Sequence, residues 1–233
     1  ANQKPNETRL DLVQKNAKIM ADVVTQIKEQ EYKGILLIVS NPVDIMTQVA
    51  MEVSGFPEHR VFGSGTVLDS ARLRYHLGQH LGVDSRSVHA FVIGEHGDSE
   101  IAAWSSANVS GVPLNSFCEM RGHYNHEGNT ESIEEQVKNS AYEIIAKKDA
   151  TYYGIAMVVK RICQAIVRDE KSIFPISLRM HGEYALEDVV LSMPAIVGAR
   201  GIETTIPISL DEKEVSRLHE SAEMLRETRK EIR

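Results

Sequence analysis

A histidine flanked by glycines is the first candidate for chemistry in this chain of 233 residues. The stretch Gly94-Glu-His-Gly-Asp98 follows an apolar run, so we expect His96 in a loop at a strand end, with its ring free to face a cleft. Histidine is the commonest general acid or base, although a loop histidine is more often solvated or structural. The neighbouring residues must decide between these interpretations.

Three charged residues share the helix that is predicted from Thr66 to Leu81: Asp69, Arg72 and Arg74. Positions three apart lie on one face of a helix and positions two apart do not. Asp69 and Arg72 can therefore address the same site, while Arg74 points elsewhere. The ordinary interpretation of Asp69 is a carboxylate on the helix surface, and that of Arg72 is a surface ion pair.

Asn41 follows the apolar run Gly34–Ser40, which is typical of a strand buried in a parallel sheet. Pro42 suits the first turn of a helix, so Asn41 is predicted at its N-cap. Open α/β sheets bind ligands at the carboxyl ends of their strands. Asn41 is thus either a ligand contact or a bare cap, and both interpretations remain open.

The predicted elements divide the chain near residues 63–66. An amphipathic helix (Asp11–Glu31) and two strands (Gly34–Ser40, Arg60–Gly63) come first. Then follow a strand (Ser87–Gly94), a helical region (Ser132–Arg168), a strand-like region (Ile173–Leu210) and a charged helix (Asp211–Arg233). The predicted fold class is α/β: the remnant of a doubly wound parallel sheet in residues 1–64, followed by an α+β domain in residues 65–233.

The composition excludes several classes of function. With a net charge of −7 and no basic run, general nucleic-acid binding is not expected. The apolar runs are too short to span a membrane, and the first residues do not resemble a secretory signal. Two distant cysteines, outside any CxxC pattern, argue against a metal site or a disulfide framework. We expect a cytoplasmic protein.

Five segments together resemble the active-site segments of L-lactate dehydrogenases, in that family's order. They are Ala1–Val13, Ser40–Asp44, Gly63–Arg74, Ile93–Ser99 and Ala150–Gly154. Any one of them alone would be weak evidence. The resemblance implies a Rossmann-type sheet followed by a lactate/malate dehydrogenase C-terminal domain. It also implies NAD as the cofactor, and reversible reduction of pyruvate to L-lactate in fermentative glycolysis.

The resemblance implies a role for each candidate. His96 gives a proton to the developing alkoxide, and Asp69 accepts a hydrogen bond from the other ring nitrogen. Arg72 binds the substrate carboxylate through two parallel hydrogen bonds. Arg9 lies on a loop that closes over the substrate and polarises the ketone. Asn41 hydrogen-bonds the substrate oxygen or orients the histidine.

The resemblance also implies the walls of the pocket: Thr151 for the substrate, and Val39, Asn41, Ser64 and Ile155 for the cofactor. Val39 and Ile155 could equally be plain core. Gln3 stands where malate dehydrogenases of this fold carry an arginine for the second carboxylate, which favours pyruvate. A dehydrogenase for malate or a branched 2-hydroxy acid is the alternative.

A second site is predicted from Arg74 and His89. His89 precedes His96 by seven residues, so their side chains lie on opposite faces if the strand continues. Bacterial lactate dehydrogenases activated by fructose 1,6-bisphosphate use matching residues to bind it between subunits of a homotetramer. A solvated arginine and a structural histidine are the alternative.

The glycine-rich phosphate turn with which the family begins does not occur in this sequence. We therefore expect weak activity or none from the chain as written. The alternative from another class of function is a non-catalytic remnant that keeps the subunit contacts.

Overall fold

The computed structural model describes residues 9–148 and 151–232. The helices of this part are α1 (Arg9–Glu29), α2 (Val43–Ser54), α3 (Val67–Leu81), α4 (Leu114–Met120), α5 (His126–Lys148), α6 (Tyr152–Val167) and α7 (Glu212–Lys230). Its strands are β1 (Leu36–Ile38), β2 (Val61–Gly63), β3 (Val88–His89), β4 (Val92–Ile93), β5 (Ile101–Ala102), β6 (Asn108–Val109), β7 (Val112–Pro113), β8 (Ser172–His181), β9 (Glu187–Gly198) and β10 (Gly201–Thr205). Among the helices of these residues, none is long and apolar enough to cross a membrane.

The main sheet has five strands in the order β1-β2-β8-β9-β10. Strands β1 and β2 are parallel, as predicted, and the remaining pairs are antiparallel. The α/β fold class is thereby confirmed. The sheet continues from β2 to β8 through the pair Gly63 and Ser177, so it crosses the predicted boundary between residues 64 and 65. The division into two domains stays a prediction.

The core has two parts, and α3 belongs to both. Val67 contributes to a cluster with the main sheet and helices α2, α6 and α7. Leu73, Leu77 and Leu81 pack with residues of α4 and α5 in a second cluster. Their spacing of four places them along one face of α3. Burial of this face sets the rotation of the helix about its axis.

The predicted strand Ser87–Gly94 is two short strands in different sheets, which corrects the sequence analysis. Strand β3 pairs with β6, and β4 pairs with β5. Between them, the Ala90 carbonyl accepts a hydrogen bond from Arg74 Nη1 at 3.2 Å. The alternation argument for His89 and His96 therefore lacks the continuous strand that it assumed.

Helix α7 begins with a capping box, and the same helix contacts the loop of His96. Asp211 Oδ1 accepts a hydrogen bond from the Glu214 backbone at 2.8 Å, and Glu214 Oε2 accepts one from the Asp211 backbone at 3.0 Å. Further along the helix, Ser221 Oγ accepts a hydrogen bond from the backbone N–H of Glu95 at 2.8 Å. The start of the His96 loop is thus attached to α7.

Asp211→Ala is expected to lower the free energy of unfolding by about 1 kcal/mol, because helix N–H groups lose their cap. Chemical denaturation of the variant and the parent chain measures this difference. Glu220→Ala, an exposed change in the middle of the same helix, is the control and should stay within about 0.5 kcal/mol. Equal effects of the two changes would contradict the capping role.

Candidate active site

The structure brings three of the predicted site residues together around one carboxylate. Asp69 Oδ2 lies 2.8 Å from His96 Nδ1, and Asp69 Oδ1 accepts a hydrogen bond from Arg72 Nη1 at 3.1 Å. The Asp69 residue is 3% exposed, whereas the ring of His96 remains 28% exposed. The ring therefore has one nitrogen on a buried acid while part of its surface is open to solvent.

Hydrogen bonds to other elements set the position of α3 beside the loop. Thr66 Oγ1 donates to the Val92 carbonyl at 2.5 Å, and Ser70 Oγ accepts from the Val92 N–H at 2.8 Å. The loop itself begins with a backbone bridge between Gly94 and Ser192 of β9. Gly94 has a φ of +84°, and a Cβ there would lie 2.9 Å from Ser221 Oγ, so glycine is required.

The electrostatics favour a charged histidine. Burial alone would lower the pKa of His96, but the hydrogen bond and charge of Asp69 outweigh it, together with the charges of Asp44 and Glu100. The net result raises the pKa of His96 to about 9. Burial opposes ionisation of Asp69 as well, yet His96 and Arg72 hold its pKa below the usual value. The two residues form an ion pair at neutral pH.

Glu100 is a buried acid beside this pair that the sequence analysis missed. One ligand atom from each of Asp69, His96 and Glu100 lies within 4.8 Å of the others. In residues 9–148 and 151–232 this is the one group of three or more such side chains that could hold a metal ion. Both Asp69 oxygens already bind His96 and Arg72, so the arrangement suits proton chemistry better than a cation. Burial and the nearby Asp69 charge raise the pKa of Glu100.

Asp44 is a second missed acid, on the main-chain side of His96. Its Oδ2 accepts the backbone N–H of His96 at 2.8 Å. Desolvation raises the pKa of Asp44 to about 6, partly offset by the hydrogen bonds from Ser177 and His96. The signal in the sequence was an acid within the apolar start of α2, Val43-Asp-Ile-Met46. An acid at such a position needs a buried partner.

Asn41 does not cap the helix as predicted. Helix α2 begins at Val43 with Pro42 at the N-cap position, one residue later than expected. Asn41 is exposed at the carboxyl end of β1, and its carbonyl accepts a hydrogen bond from Asn16 Nδ2 at 3.1 Å. Because Pro42 takes the cap position, the side chain of Asn41 is not needed to begin the helix.

Two of the predicted cofactor residues lie where parallel strands end. Val39 follows β1 and Ser64 follows β2, and the Ser64 N–H donates to the Ile38 carbonyl at 2.8 Å. Such paired carboxyl ends are the usual place for a dinucleotide in this class of sheet, so the residues present fit NAD. Ile155 is half-buried on α6 and also packs against the main core.

The remaining predicted residues are placed as follows. Thr151 is half-buried at the N-cap position of α6, a helix whose Gly154 faces Leu68 of α3. Arg9 is the first residue of α1, and its side chain lies outside the described part of the chain. Gln3 lies outside the described residues as well.

Arg74 and His89 line a cavity whose lining does not include His96. The cavity has a volume of about 580 Å³, and Arg86 and Arg161 line it too. Arg74 Nη1 donates a hydrogen bond to the Ala90 carbonyl, whereas Arg72 binds Asp69. Arg86 and Arg161 are paired with Asp84 and Glu170, which leaves Arg74 and His89 as the residues of this lining with which an anion could pair.

Comparison with known proteins assigns the family. Residues 1–63 match the description lactate/malate dehydrogenase, NAD binding domain, and residues 66–233 match lactate/malate dehydrogenase, alpha/beta C-terminal domain. The chain belongs to the lactate/malate dehydrogenase family. The match to the NAD-binding domain of this family confirms the predicted cofactor, NAD.

Individual members of the lactate/malate dehydrogenase family are similar over nearly the whole chain. L-lactate dehydrogenase of Acetivibrio thermocellus is 48% identical over 97% of this chain and 72% of its own length. L-lactate dehydrogenase 1 of Clostridium acetobutylicum is 46% identical over 98% and 73%. The crystal structure of the minor L-lactate dehydrogenase of Enterococcus mundtii in its ligands-bound form gives a TM-score of 0.95 at 42% identity, covering 100% of this chain and 74% of that one.

Replacing Asp69 with Asn is expected to lower the pKa of His96 from about 9 toward its ordinary value of 6.5, since the hydrogen bond and charge that hold the proton are lost. While Asp69 is ionised, the raised pKa of His96 contributes stability that is fully present below pH 6.5 and is lost as the pH rises through 9. NMR titration of the His96 ring measures the pKa directly.

The matched control is Asp22→Asn, a change in an exposed part of α1, which should leave the His96 titration in place. A His96 pKa near 6.5 in the parent chain, unmoved by Asp69→Asn, would contradict the ion pair.

Proposed function

We propose that this chain is an NAD-dependent L-lactate dehydrogenase that reversibly reduces pyruvate to L-lactate. The observation that carries the proposal is the arrangement of His96, Asp69 and Arg72 around one buried carboxylate. Relatives named L-lactate dehydrogenase, at 46–48% identity, support the same conclusion. We further propose that Val39, Asn41, Ser64 and Ile155 hold the cofactor and that Thr151 lines the substrate pocket.

The residues present supply what pyruvate reduction needs besides a hydride, which NADH supplies when bound. His96, charged through Asp69, has Nε2 available to donate a proton to the forming alkoxide and to take it back from lactate. Arg72 is mostly buried and has a planar guanidinium that matches a carboxylate. Asp69 occupies one of its nitrogens, and the rest of the fork is available for substrate.

The substrate is proposed to be pyruvate and not oxaloacetate, on the basis of Gln3. A neutral amide leaves the second carboxylate of oxaloacetate without a cationic partner, whereas the methyl group of pyruvate needs none. Arg9 is proposed to polarise the ketone. Malate or a branched 2-hydroxy acid remains the alternative, which parallel assays with oxaloacetate and ketoisocaproate distinguish.

The Arg74 cavity is proposed to bind fructose 1,6-bisphosphate between subunits of a homotetramer. Arg74 and His89 line one cavity, and its volume suits a small phosphorylated sugar. Burial of Arg74 favours a desolvated, and therefore strong, contact with phosphate. In the cell, the chain is proposed to act in the cytoplasm, in fermentative glycolysis. Its activator would be a sugar bisphosphate of the same pathway.

The test is NADH oxidation by the 233-residue chain with pyruvate, compared with oxaloacetate, with and without fructose 1,6-bisphosphate. A rate that is highest with pyruvate supports the proposal. A preference for oxaloacetate supports the malate alternative. No turnover with any 2-oxo acid, from a folded chain in which His96 titrates near its ordinary pKa, supports the non-catalytic alternative.

His96→Asn is expected to reduce turnover of pyruvate by roughly 10²- to 10⁴-fold, the usual contribution of a general acid. NADH binding, followed by fluorescence, should change little because His96 is not among the proposed cofactor residues. His89→Asn is the matched control for turnover without the bisphosphate, since it lines a separate cavity. Comparable losses in the two variants would contradict the assignment.

In Arg74→Ala, the ratio of activity with fructose 1,6-bisphosphate to activity without it is expected to fall to about one. The reason is that the buried guanidinium proposed to bind the phosphate is lost. The ratio is measured at subsaturating pyruvate. Arg200→Ala removes an arginine outside the Arg74 cavity and should keep the ratio of the parent chain. Retained activation in Arg74→Ala would refute the proposed activator site.

A further inference from the structure

Asp44 is the most buried acid near the site, and none of the roles proposed above uses it. It lies in the first turn of α2 with 1% of its surface exposed. Its Oδ2 accepts the His96 N–H at 2.8 Å, and its Oδ1 accepts Ser177 Oγ at 2.6 Å and Ser192 Oγ at 3.5 Å. One carboxylate thus connects α2, the His96 loop, β8 and β9.

The surroundings of Asp44 allow a charge there at neutral pH. The positive charge of His96 favours the ionised form of Asp44, and the charge of Glu95 opposes it. The start of α2 adds the positive end of a helix dipole. Burial raises the pKa of Asp44 to about 6, and the hydroxyl of Ser177 and the N–H of His96 oppose that rise. Above pH 6 the acid is ionised.

We propose that Asp44 is a positioning residue for His96: its buried carboxylate fastens the main chain of His96 to strands β8 and β9 and places a second negative charge beneath the imidazolium. The proposal rests on the function proposed above for His96. It assigns to the last residue of Ser40-Asn-Pro-Val-Asp44 a task distinct from that of Asn41.

Other contacts already hold the loop, so the contribution of Asp44 is specific to His96. Gly94 is bridged to Ser192, and Glu95 donates its N–H to Ser221 Oγ. Asp44 is the acceptor for the N–H of His96 itself. Loss of Asp44 is therefore expected to shift the ring relative to Arg72, which lies on a separate element, more than to unfold the loop.

Two substitutions separate position from charge. In Asp44→Asn, the amide oxygen can accept the His96 N–H while the amide NH₂ donates to Ser177 Oγ, since a hydroxyl can accept as well as donate. This variant keeps the position of the loop and loses the charge. Asp44→Ala loses both and leaves the His96 N–H without its acceptor.

In kinetics with pyruvate, Asp44→Ala is expected to lower kcat on the order of 100-fold, the effect of displacing a catalytic group by about 1 Å, with a smaller change in KM. Asp44→Asn should retain most of the kcat that Asp44→Ala loses. It should also move the alkaline limb of the pH profile of pyruvate reduction to lower pH, because a negative charge that favours charged His96 is lost. Unchanged kcat in Asp44→Ala, or an unmoved limb in Asp44→Asn, would overturn the proposal.

NMR of the His96 backbone amide tests the contact without any need for turnover. In the parent chain this resonance should titrate with a midpoint of about 6, that of Asp44, and in Asp44→Asn this step should vanish. Ser177→Ala should move the midpoint upward, because the 2.6 Å hydrogen bond to the charged form is lost. Ser192→Ala, at 3.5 Å, is the matched control and should move it less.

A His96 amide that is insensitive to Asp44 ionisation overturns the proposal, whatever the activity of the chain. If this titration behaves as expected but the chain reduces no 2-oxo acid, the contact is correct and the failure concerns only the activity proposed for this chain. The two failures are therefore distinguishable.

Discussion

The site depends on a carboxylate that has to be buried and charged at the same time. Removing the Asp69 charge from water is costly unless cations and hydrogen bonds replace the solvent. His96 and Arg72 do so from two directions, one from a loop and one from the same helix. Each cation is in turn oriented by Asp69, so the acid organises both the proton donor and the group proposed to hold the substrate.

That arrangement requires elements far apart in sequence to meet. Asp69 is on α3, while the loop of His96 is held by Ser192 of β9, Ser221 of α7 and Asp44 of α2. Backbone groups of the loop are satisfied at each of these points, so it has little freedom to take another course. The C-terminal strands and helix, remote in sequence from the candidate residues, thereby fix the geometry of the site.

Local spacing was enough to predict one helix face. The three-residue interval from Asp69 to Arg72 placed both on one site, and the two-residue interval placed Arg74 in another cavity. Helix α3 begins at Val67, one residue after its predicted start, and ends at Leu81 as predicted. These features follow from the helical repeat, which the sequence displays directly.

Features set by tertiary contacts could not be predicted in this way. The predicted strand is interrupted at Ala90, whose carbonyl binds Arg74 between two strands that pair with different partners. Asp44 lies within an apolar stretch and Glu100 directly before one, and the groups that they face lie on other elements. A single sequence shows such an acid as an exception to its surroundings but does not show what it faces.

The pH dependence of the two reaction directions, measured on one sample, tests the central claim most directly. Because kcat/KM reports the ionisation of the enzyme before the substrate binds, kcat/KM for pyruvate should fall and kcat/KM for lactate should rise as His96, with a pKa of about 9, loses its proton. Profiles that move in the same direction would contradict a single proton held between His96 and the substrate.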